Sequence, residues 1–186
     1  CRIIRHHIGG YGIGVFDKMV TRGGKTYYLD ESGYMAQDCF LEMNGKEYHF
    51  DDDGVMACRK FVRRAGKTYY YGKYGTKVTD QFITLAGKEY YLDEQGVLMR
   101  NTMFDVGNST YYVDANGVLA TQKKVKYRGH IYYFGKYSTM VRNKKVRIQG
   151  AAYYFGPDGQ MYTDMKTTIG KKVYQIDSEG KMKIVK

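Results

Sequence analysis

Residues 87–99, GKEYYLDEQGVLM, decide the fold because close copies of this stretch recur through the chain. GKTYYLDESGYM occupies residues 24–35 and GKEYHFDDDGVM occupies residues 45–56. A fixed period indicates a repeat array, in which each unit packs mainly against its neighbours. The first tyrosine of each copy recurs with a constant step of 21 residues, at Tyr27, Tyr48, Tyr69, Tyr90, Tyr111, Tyr132, Tyr153 and Tyr174.

One unit, residues 38–57, has the pattern of a β-hairpin. Asn44-Gly45 lies between two short alternating segments, and this dipeptide favours a two-residue turn because both of its residues reach positive φ. In the second strand Tyr48 and Phe50 share one face. Both positions are apolar in all eight full units, so we expect that face to be buried. The glycine six residues after each first tyrosine, replaced once by Ser138, then turns the chain towards the next hairpin.

A second period of 63 residues bears on how the hairpins stack. Tyr11, Tyr74 and Tyr137 are the only tyrosines at their place in the unit, and three units make 63 residues. This spacing predicts about three hairpins per superhelical turn, although an ancestral triplication explains it equally well. The predicted fold class is therefore all-β, a β-solenoid of tandem hairpin repeats.

The repeat register predicts a single array over residues 1–186. It consists of a partial first repeat, residues 1–14, and about eight full repeats. Because HHIGGYG (6–12) is in register with YYYGKYG (69–75), the chain opens part-way through a unit, and we expect it to be a fragment with any targeting sequence upstream. The absence of any run of about eighteen apolar residues predicts no transmembrane helix.

The pattern G-K-x-Y-Y-[LF]-D-x-x-G-x-M resembles the cell-wall-binding repeats of Gram-positive surface proteins. That family includes choline-binding modules, the glucan-binding repeats of glucansucrases and the receptor-binding repeats of large clostridial toxins. The resemblance implies a secreted or surface β-solenoid, joined to a catalytic or adhesive partner. Such a solenoid holds carbohydrate or wall polymer in grooves between successive hairpins and needs no cofactor.

The chain departs from the family at the residue that opens each unit. There the family has a tryptophan whose indole forms one wall of the ligand cage, whereas this chain contains no tryptophan. A quaternary ammonium ligand needs several electron-rich rings, tryptophan being the best. The departure therefore argues against choline binding, most strongly in the last three units. The matching residues, called the groove positions below, are Met19, Phe40, Phe61, Phe82, Met103, Lys124, Lys145 and Lys166.

The second tyrosine of each unit lies on the strand face opposite the packed one. Its ring suits the C–H face of a sugar and its hydroxyl suits the sugar edge. Alternatively, curvature of the solenoid buries both faces and makes this tyrosine part of the core. The first tyrosines are assigned to structure alone. The predicted ligand-binding residues are Tyr28, Phe40, Phe61, Tyr70, Phe82, Tyr91, Met103, Tyr112, Tyr133 and Tyr154.

The net charge of +11 lies entirely in residues 122–186, which hold fifteen Lys and Arg against four Asp and Glu. Strand alternation places Lys124, Lys126, Lys145 and Arg147 on one face. This basic stripe predicts binding of an anionic polymer, such as teichoic acid, acidic polysaccharide or nucleic acid, through counterion release. A solvated face with no fixed partner explains it equally well. No nucleic-acid-binding motif is present, and the wall-type repeat argues against that partner.

A search for catalytic and metal-binding motifs yields only turns. GGYGIG (9–14) imitates a phosphate loop and DDDG (51–54) part of a calcium loop, but both fall on the turn register of the repeat. The four histidines sit at unrelated points of the units, so no nucleophile–base pair is indicated. The sequence therefore predicts neither an enzyme nor a metal or cofactor.

Three cysteines, Cys1, Cys39 and Cys58, are an odd number without C-x-x-C spacing, so the sequence indicates neither a disulfide framework nor a zinc site. We read them as small apolar residues, and a Cys39–Cys58 bridge stays open at this point.

Together these features predict a non-catalytic, extracellular module, secreted or associated with the cell wall, that binds polysaccharide or wall polymer. Several weak grooves on one polymer would raise avidity through effective concentration. Two alternatives come from other classes: a protein-interaction or spacer array like the toxin repeats, and an electrostatic binder of anionic polymers.

Overall fold

A computed structural model describes residues 2–4 and 17–185. This part of the chain contains β-strands and no helix, which confirms the all-β prediction. The strands are β1 (Arg2–Ile4), β2 (Lys18–Arg22), β3 (Lys25–Leu29), β4 (Met35–Gln37), β5 (Cys39–Met43), β6 (Lys46–Phe50), β7 (Lys60–Arg64), β8 (Lys67–Tyr71), β9 (Gln81–Leu85), β10 (Lys88–Leu92), β11 (Thr102–Val106), β12 (Ser109–Val113), β13 (Lys123–Tyr127), β14 (His130–Phe134), β15 (Lys144–Ile148), β16 (Ala151–Phe155), β17 (Met165–Ile169), β18 (Lys172–Ile176) and β19 (Met182–Ile184).

Each full repeat forms one hairpin of two five-residue strands. We number the hairpins 1 to 8 in chain order, from β2–β3 and β5–β6 to β15–β16 and β17–β18. In hairpin 2 the turn residues Asn44 and Gly45 have φ values of 52° and 68°, as predicted for this dipeptide. The first tyrosine pairs with the third residue of the first strand, for example Leu41 with Tyr48. The predicted β-solenoid of hairpin repeats is confirmed.

In five repeats the segment that follows the hairpin is a tight turn closed by an aspartate. The Asp51 carboxylate accepts a hydrogen bond from the Val55 amide at 2.8 Å, and the Asp51 carbonyl accepts one from the Gly54 amide at 2.9 Å. An aspartate that bonds its own downstream backbone stabilises a turn. The DDDG segment is therefore a turn, as the sequence predicted, and Asp30, Asp93, Asp114 and Asp177 act in the same way.

Backbone hydrogen bonds join each connecting segment to the hairpin one repeat earlier. The segment after hairpin 2, for example, bonds to hairpin 1. The Met56 amide donates to the Thr26 carbonyl at 2.8 Å, and the Met161 amide donates to the Ile131 carbonyl at 2.8 Å. The same contact recurs in register along the chain, for example from Lys77 to Glu47 at 2.9 Å. Contacts between neighbouring repeats therefore hold the solenoid together.

The core is a row of side chains at the last position of each second strand. All eight are buried, and seven of them are fully buried. The sequence predicted burial of the face that Tyr48 and Phe50 share; Phe50 is buried, whereas Tyr48 is half-buried. The row consists of Leu29, Phe50, Tyr71, Leu92, Val113, Phe134, Phe155 and Ile176.

The described residues fall into two compact units. Unit 1 comprises Cys1–Ile83 and Tyr91–Leu98, and unit 2 comprises Thr84–Tyr90 and Met99–Lys186. The single array stays a prediction, and residues 1 and 5–14 of its partial first repeat lie outside the described part of the chain. In unit 1 the thiols of Cys39 and Cys58 are both free, one buried and one exposed. The open question of a bridge between them is thereby answered.

The turn glycines allow a test of close packing in unit 1. Gly96 has φ 79°, and a Cβ built there would lie 2.9 Å from the Val78 carbonyl oxygen. Gly66 has nearly the same φ, 78°, but a Cβ there meets nothing within 4 Å. An L-residue pays about 1–2 kcal/mol for the left-handed conformation at either site. We therefore expect Gly66→Ala to lose about 1 kcal/mol of unfolding free energy and Gly96→Ala to lose at least about 1 kcal/mol more.

Denaturant unfolding of both variants beside the unsubstituted chain measures this difference. Gly66→Ala is the matched control, because it imposes the same backbone conformation in open space. Equal losses for the two variants would contradict the close approach at Gly96.

Candidate ligand-binding site

The groove position and the second tyrosine of each repeat meet across the hairpin. They are directly opposed in the strand register, so the two predicted sets of site residues form pairs. The ring centroids of Phe61 and Tyr70 are 5.1 Å apart, and those of Phe82 and Tyr91 are 4.7 Å apart. The other pairs are Met19–Tyr28, Phe40–His49, Met103–Tyr112, Lys124–Tyr133, Lys145–Tyr154 and Lys166–Gln175.

The first tyrosine of the following hairpin lies against the same cluster as such a pair. Met19 and Tyr28 of hairpin 1 pack with Tyr48 of hairpin 2 against a buried cluster that contains Phe50. Met103 and Tyr112 of hairpin 5 pack with Tyr132 of hairpin 6 around Phe134. We call the surface where such a pair meets the first tyrosine of the next hairpin an inter-hairpin groove.

The first tyrosines are the groove residues that sequence reasoning missed, because it assigned them to the core alone. Tyr48, Tyr69 and Tyr132 are only half-buried, whereas Tyr153 and Tyr174 are buried. The signal for a second role was present, since this position is tyrosine in every unit while the true core position varies among Leu, Phe, Tyr, Val and Ile. An aromatic ring with one open face suits a groove wall.

Burial divides the predicted ligand-binding residues. Tyr70 and Tyr91 are only 6% and 7% exposed, so their rings belong to the core, as the alternative interpretation anticipated. The remaining eight predicted residues are half-buried and keep part of their surface open: Tyr28, Phe40, Phe61, Phe82, Met103, Tyr112, Tyr133 and Tyr154.

Several second-tyrosine hydroxyls are engaged within the protein. The Tyr28 hydroxyl donates to the Asp17 carboxylate at 2.6 Å, and the Tyr91 hydroxyl donates to Asp80. Hydrogen bonding to these carboxylates raises the pKa of both tyrosines to about 12. Asp17 and Asp80 have φ values of 47° and 45° and immediately precede their hairpins. These hydroxyls therefore stabilise the left-handed residue that precedes a hairpin. The prediction had placed them at the edge of a sugar.

The basic stripe is open to solvent. Lys124, Lys126, Lys145 and Arg147 are all exposed. Within the described residues, none of them forms a salt bridge with a carboxylate. The Lys124 ammonium lies 4.2 Å from the centroid of the Tyr153 ring. The stripe thus offers positive charge that no carboxylate of the described chain neutralises.

Unit 2 contains an open depression of about 370 Å³ beside Tyr112. Its wall includes the carboxylates of Glu89 and Asp114 and the ammonium groups of Lys88 and Lys123. A ring next to hydrogen-bond acceptors and donors suits a sugar face and its hydroxyls. Sequence reasoning missed these four polar residues, because only the packing of successive hairpins brings them together.

A hydrogen-bond relay orders one wall of this depression. The Ser138 hydroxyl donates to the Glu89 carboxylate at 2.9 Å and lies 2.6 Å from the Thr121 hydroxyl. Ser138 is the one residue that replaces the turn glycine, and it is 1% exposed. The Ser138 side chain therefore holds the Glu89 carboxylate from a position that is glycine in the other units.

The described residues hold no cluster of three or more His, Cys, Asp or Glu side chains that could bind a metal ion. No helix of sufficient length and apolarity to span a membrane is found among them.

Family models match two parts of the chain. Residues 17–61 match a choline-binding repeat, and residues 104–119 match a putative cell wall binding repeat. These matches confirm that the repeats resemble the cell-wall-binding, choline-binding-like family. No curated protein matches the chain.

Solved structures from Streptococcus pneumoniae share the fold. CbpJ superimposes with a TM-score of 0.71 at 20% identity, over 88% of this chain and 57% of that one. Choline binding protein F gives 0.70 at 23% identity, over 88% and 56%. The modular autolysin LytC, solved with a synthetic peptidoglycan ligand, gives 0.67 at 23%, over 91% and 42%. The chain thus spans about half of the length of these structures.

His49, the histidine that replaces a second tyrosine, predicts a pH dependence of stability. Its Nδ1 lies 3.1 Å from the Cys39 carbonyl, and its ring stacks on Phe40 at 4.6 Å. Burial lowers the pKa of His49. The folded chain therefore prefers the neutral imidazole, and its stability falls as the pH drops below the unfolded value of about 6.5.

We expect the unsubstituted chain to lose stability relative to His49→Tyr between pH 7.5 and 5.5, by at most about 1.4 kcal/mol. Denaturant unfolding at several pH values measures the difference. Tyrosine occupies the equivalent position in most units, so this variant keeps the hairpin intact. Parallel pH curves for the two proteins would rule out a buried neutral His49.

Proposed function

We propose that this chain, whose repeats are of the cell-wall-binding type, is a non-catalytic, multivalent module that binds carbohydrate or wall polymer at its inter-hairpin grooves. One observation carries the proposal. A groove residue and a second tyrosine are paired across each hairpin, for example Met103 and Tyr112, and the first tyrosine of the next hairpin packs against the same cluster. The peptidoglycan ligand of LytC and the cell wall match of residues 104–119 support a wall polymer as the partner and association with the cell wall.

The depression beside Tyr112 favours a neutral, glucan-like saccharide as one ligand. Asp114 Oδ1 accepts hydrogen bonds from the amides of Asn116 and Val118 at 2.8 and 3.0 Å, and Glu89 accepts one from Ser138. Both carboxylates are thus held in place as acceptors for sugar hydroxyls. Polar groups whose positions are fixed before binding lower the entropy cost of binding.

Multivalency would supply the affinity that one shallow groove lacks. A polymer bound at one groove is presented to the next at a high effective concentration. Half-buried groove residues occur in hairpins of both units, for example Met19 and Tyr28 in unit 1 and Met103 and Tyr112 in unit 2. The repeated arrangement suits a polymeric partner better than a single small ligand.

A second candidate function, binding of an anionic polymer, is favoured by the exposed stripe of Lys124, Lys126, Lys145 and Arg147. An anionic chain releases counterions when it meets such a stripe, and this binding weakens steeply with salt. A third candidate is a spacer or protein-interaction array. It is favoured by tyrosine hydroxyls that bond within the protein, such as that of Tyr28 to Asp17, because these hydroxyls serve the fold.

Retention of the full chain on immobilised neutral glucan, peptidoglycan and anionic wall polymer, each over a salt series, separates these candidates. We expect retention on glucan or peptidoglycan at about 1 M salt to be similar to retention at low salt. Ring and hydroxyl contacts carry no net charge, so salt does not screen them. Retention that high salt removes from both glucan and peptidoglycan would contradict carbohydrate binding in the grooves. No retention on any support would favour the spacer function.

A charge variant tests the anionic candidate within the same assay. The double variant Lys126→Gln/Arg147→Gln should lower the slope of log affinity against log salt on an anionic polymer by about 2. The matched control Lys25→Gln/Lys67→Gln removes two exposed charges from unit 1. Equal changes for the two variants would show that net charge, and not the stripe, governs the attraction.

A further inference from the structure

In two inter-hairpin grooves of unit 2 a lysine of the protein covers the ring of a first tyrosine. The Lys124 ammonium of hairpin 6 lies 4.2 Å from the centroid of Tyr153 in hairpin 7. The Lys145 ammonium of hairpin 7 lies 5.7 Å from the centroid of Tyr174 in hairpin 8. A cation within about 6 Å of a ring face is attracted by the ring quadrupole. In each case the lysine stands at the groove position and the tyrosine belongs to the next hairpin.

The groove around Lys124 is otherwise built from aromatic walls. Tyr133 stands opposite Lys124 across the hairpin, and its ring stacks on Phe155 at 5.7 Å. Tyr153 and Phe155 are both buried in one cluster with Met161. Phe155 is fully buried, so the groove offers the half-buried ring of Tyr133 and the ring of Tyr153, whose face a cation of the chain already occupies.

Unit 1 shows the same chemistry with a different residue. The guanidinium carbon of Arg64 in hairpin 3 lies 4.2 Å from the ring centroid of Phe40 in hairpin 2. Phe40 also stacks on His49 and packs against the cluster of Val62 and Tyr71. Arg64 is the fifth residue of its strand, whereas Lys124 and Lys145 are the second residues of theirs. The cation in unit 1 therefore comes from a different position in the repeat. Cations of the chain thus cover ring faces in three grooves.

We propose that Lys124 is a specificity-determining residue whose tethered ammonium closes the groove between hairpins 6 and 7 to organic cations, and that Lys145 does the same in the groove that follows. A tethered cation is present at a high effective concentration, so a free ammonium ligand must displace it. These grooves therefore select neutral or anionic segments of a polymer and reject its ammonium substituents. The inference rests on the proposed function only in taking the grooves to be ligand sites.

Choline is the probe for the test. Equilibrium dialysis with labelled choline compares the unsubstituted chain, Lys124→Ala and Lys126→Ala. We expect Lys124→Ala to gain a saturable site at least about tenfold tighter than any in the unsubstituted chain, because its Tyr153 face becomes free. Lys126→Ala is the matched control, since it removes the same charge from the same strand and has no ring contact among the described residues. Lys124→Arg keeps a cation on the ring of Tyr153, so we expect this variant to gain no choline site.

Two outcomes would overturn the proposal: a folded Lys124→Ala that binds choline no more tightly than the unsubstituted chain, or equal gains by the two alanine variants. A measurement on the unsubstituted chain keeps the idea testable if Lys124→Ala fails to fold. The ring current of Tyr153 should shift the ε-methylene protons of Lys124 upfield of those of Lys126 in NMR spectra, and equal shifts would overturn the contact. Polymer retention of the unsubstituted chain decides the proposed function separately, since it involves no choline.

Discussion

An isolated two-stranded hairpin buries too little surface to be stable in water, and this constraint shapes the whole chain. Each repeat completes its core with residues of the next one. Phe50 at the end of a second strand is fully buried, and the Met56 amide after it bonds back to the Thr26 carbonyl of the preceding hairpin. One polar link follows the same rule, because the buried Tyr71 donates to Glu47 of hairpin 2 at 2.7 Å. Grooves between hairpins are the geometric result of this mutual support.

The features that the sequence predicted well are those that depend on local rules. The hairpin follows from alternation about a turn such as Asn44-Gly45, and the turn at Asp51 follows from a side chain that bonds its own backbone. The groove pairs, such as Phe61 with Tyr70, follow from the two-residue period of a strand. Each of these rules acts within one repeat, so a single sequence is sufficient to apply it.

The features that the sequence did not predict depend on residues far apart or on unspecific residue types. The contact between Glu89 and Ser138 spans 49 positions. The left-handed residue before each hairpin is Asp38 in one repeat and Arg59 in the next, with φ values of 43° and 49°. Aspartate and asparagine, which hold six of the eight equivalent positions, tolerate that conformation, but arginine does not signal it, so the surrounding packing imposes it at Arg59. The same packing buries Tyr70 and places first tyrosines such as Tyr48 and Tyr132 against residues of the preceding hairpin.

The groove position links the charge of the chain to its binding chemistry. Where it is Phe or Met, as at Phe61 and Met103, the side chain adds apolar surface next to a tyrosine. Where it is lysine, as at Lys124, the same site carries a cation that both lies on a ring and faces solvent. A cation–π contact weakens with hydration but persists for a tethered group, because the chain keeps the ammonium near the ring. A single substitution type at one register position thus changes a groove from apolar to cationic while the hairpin stays the same.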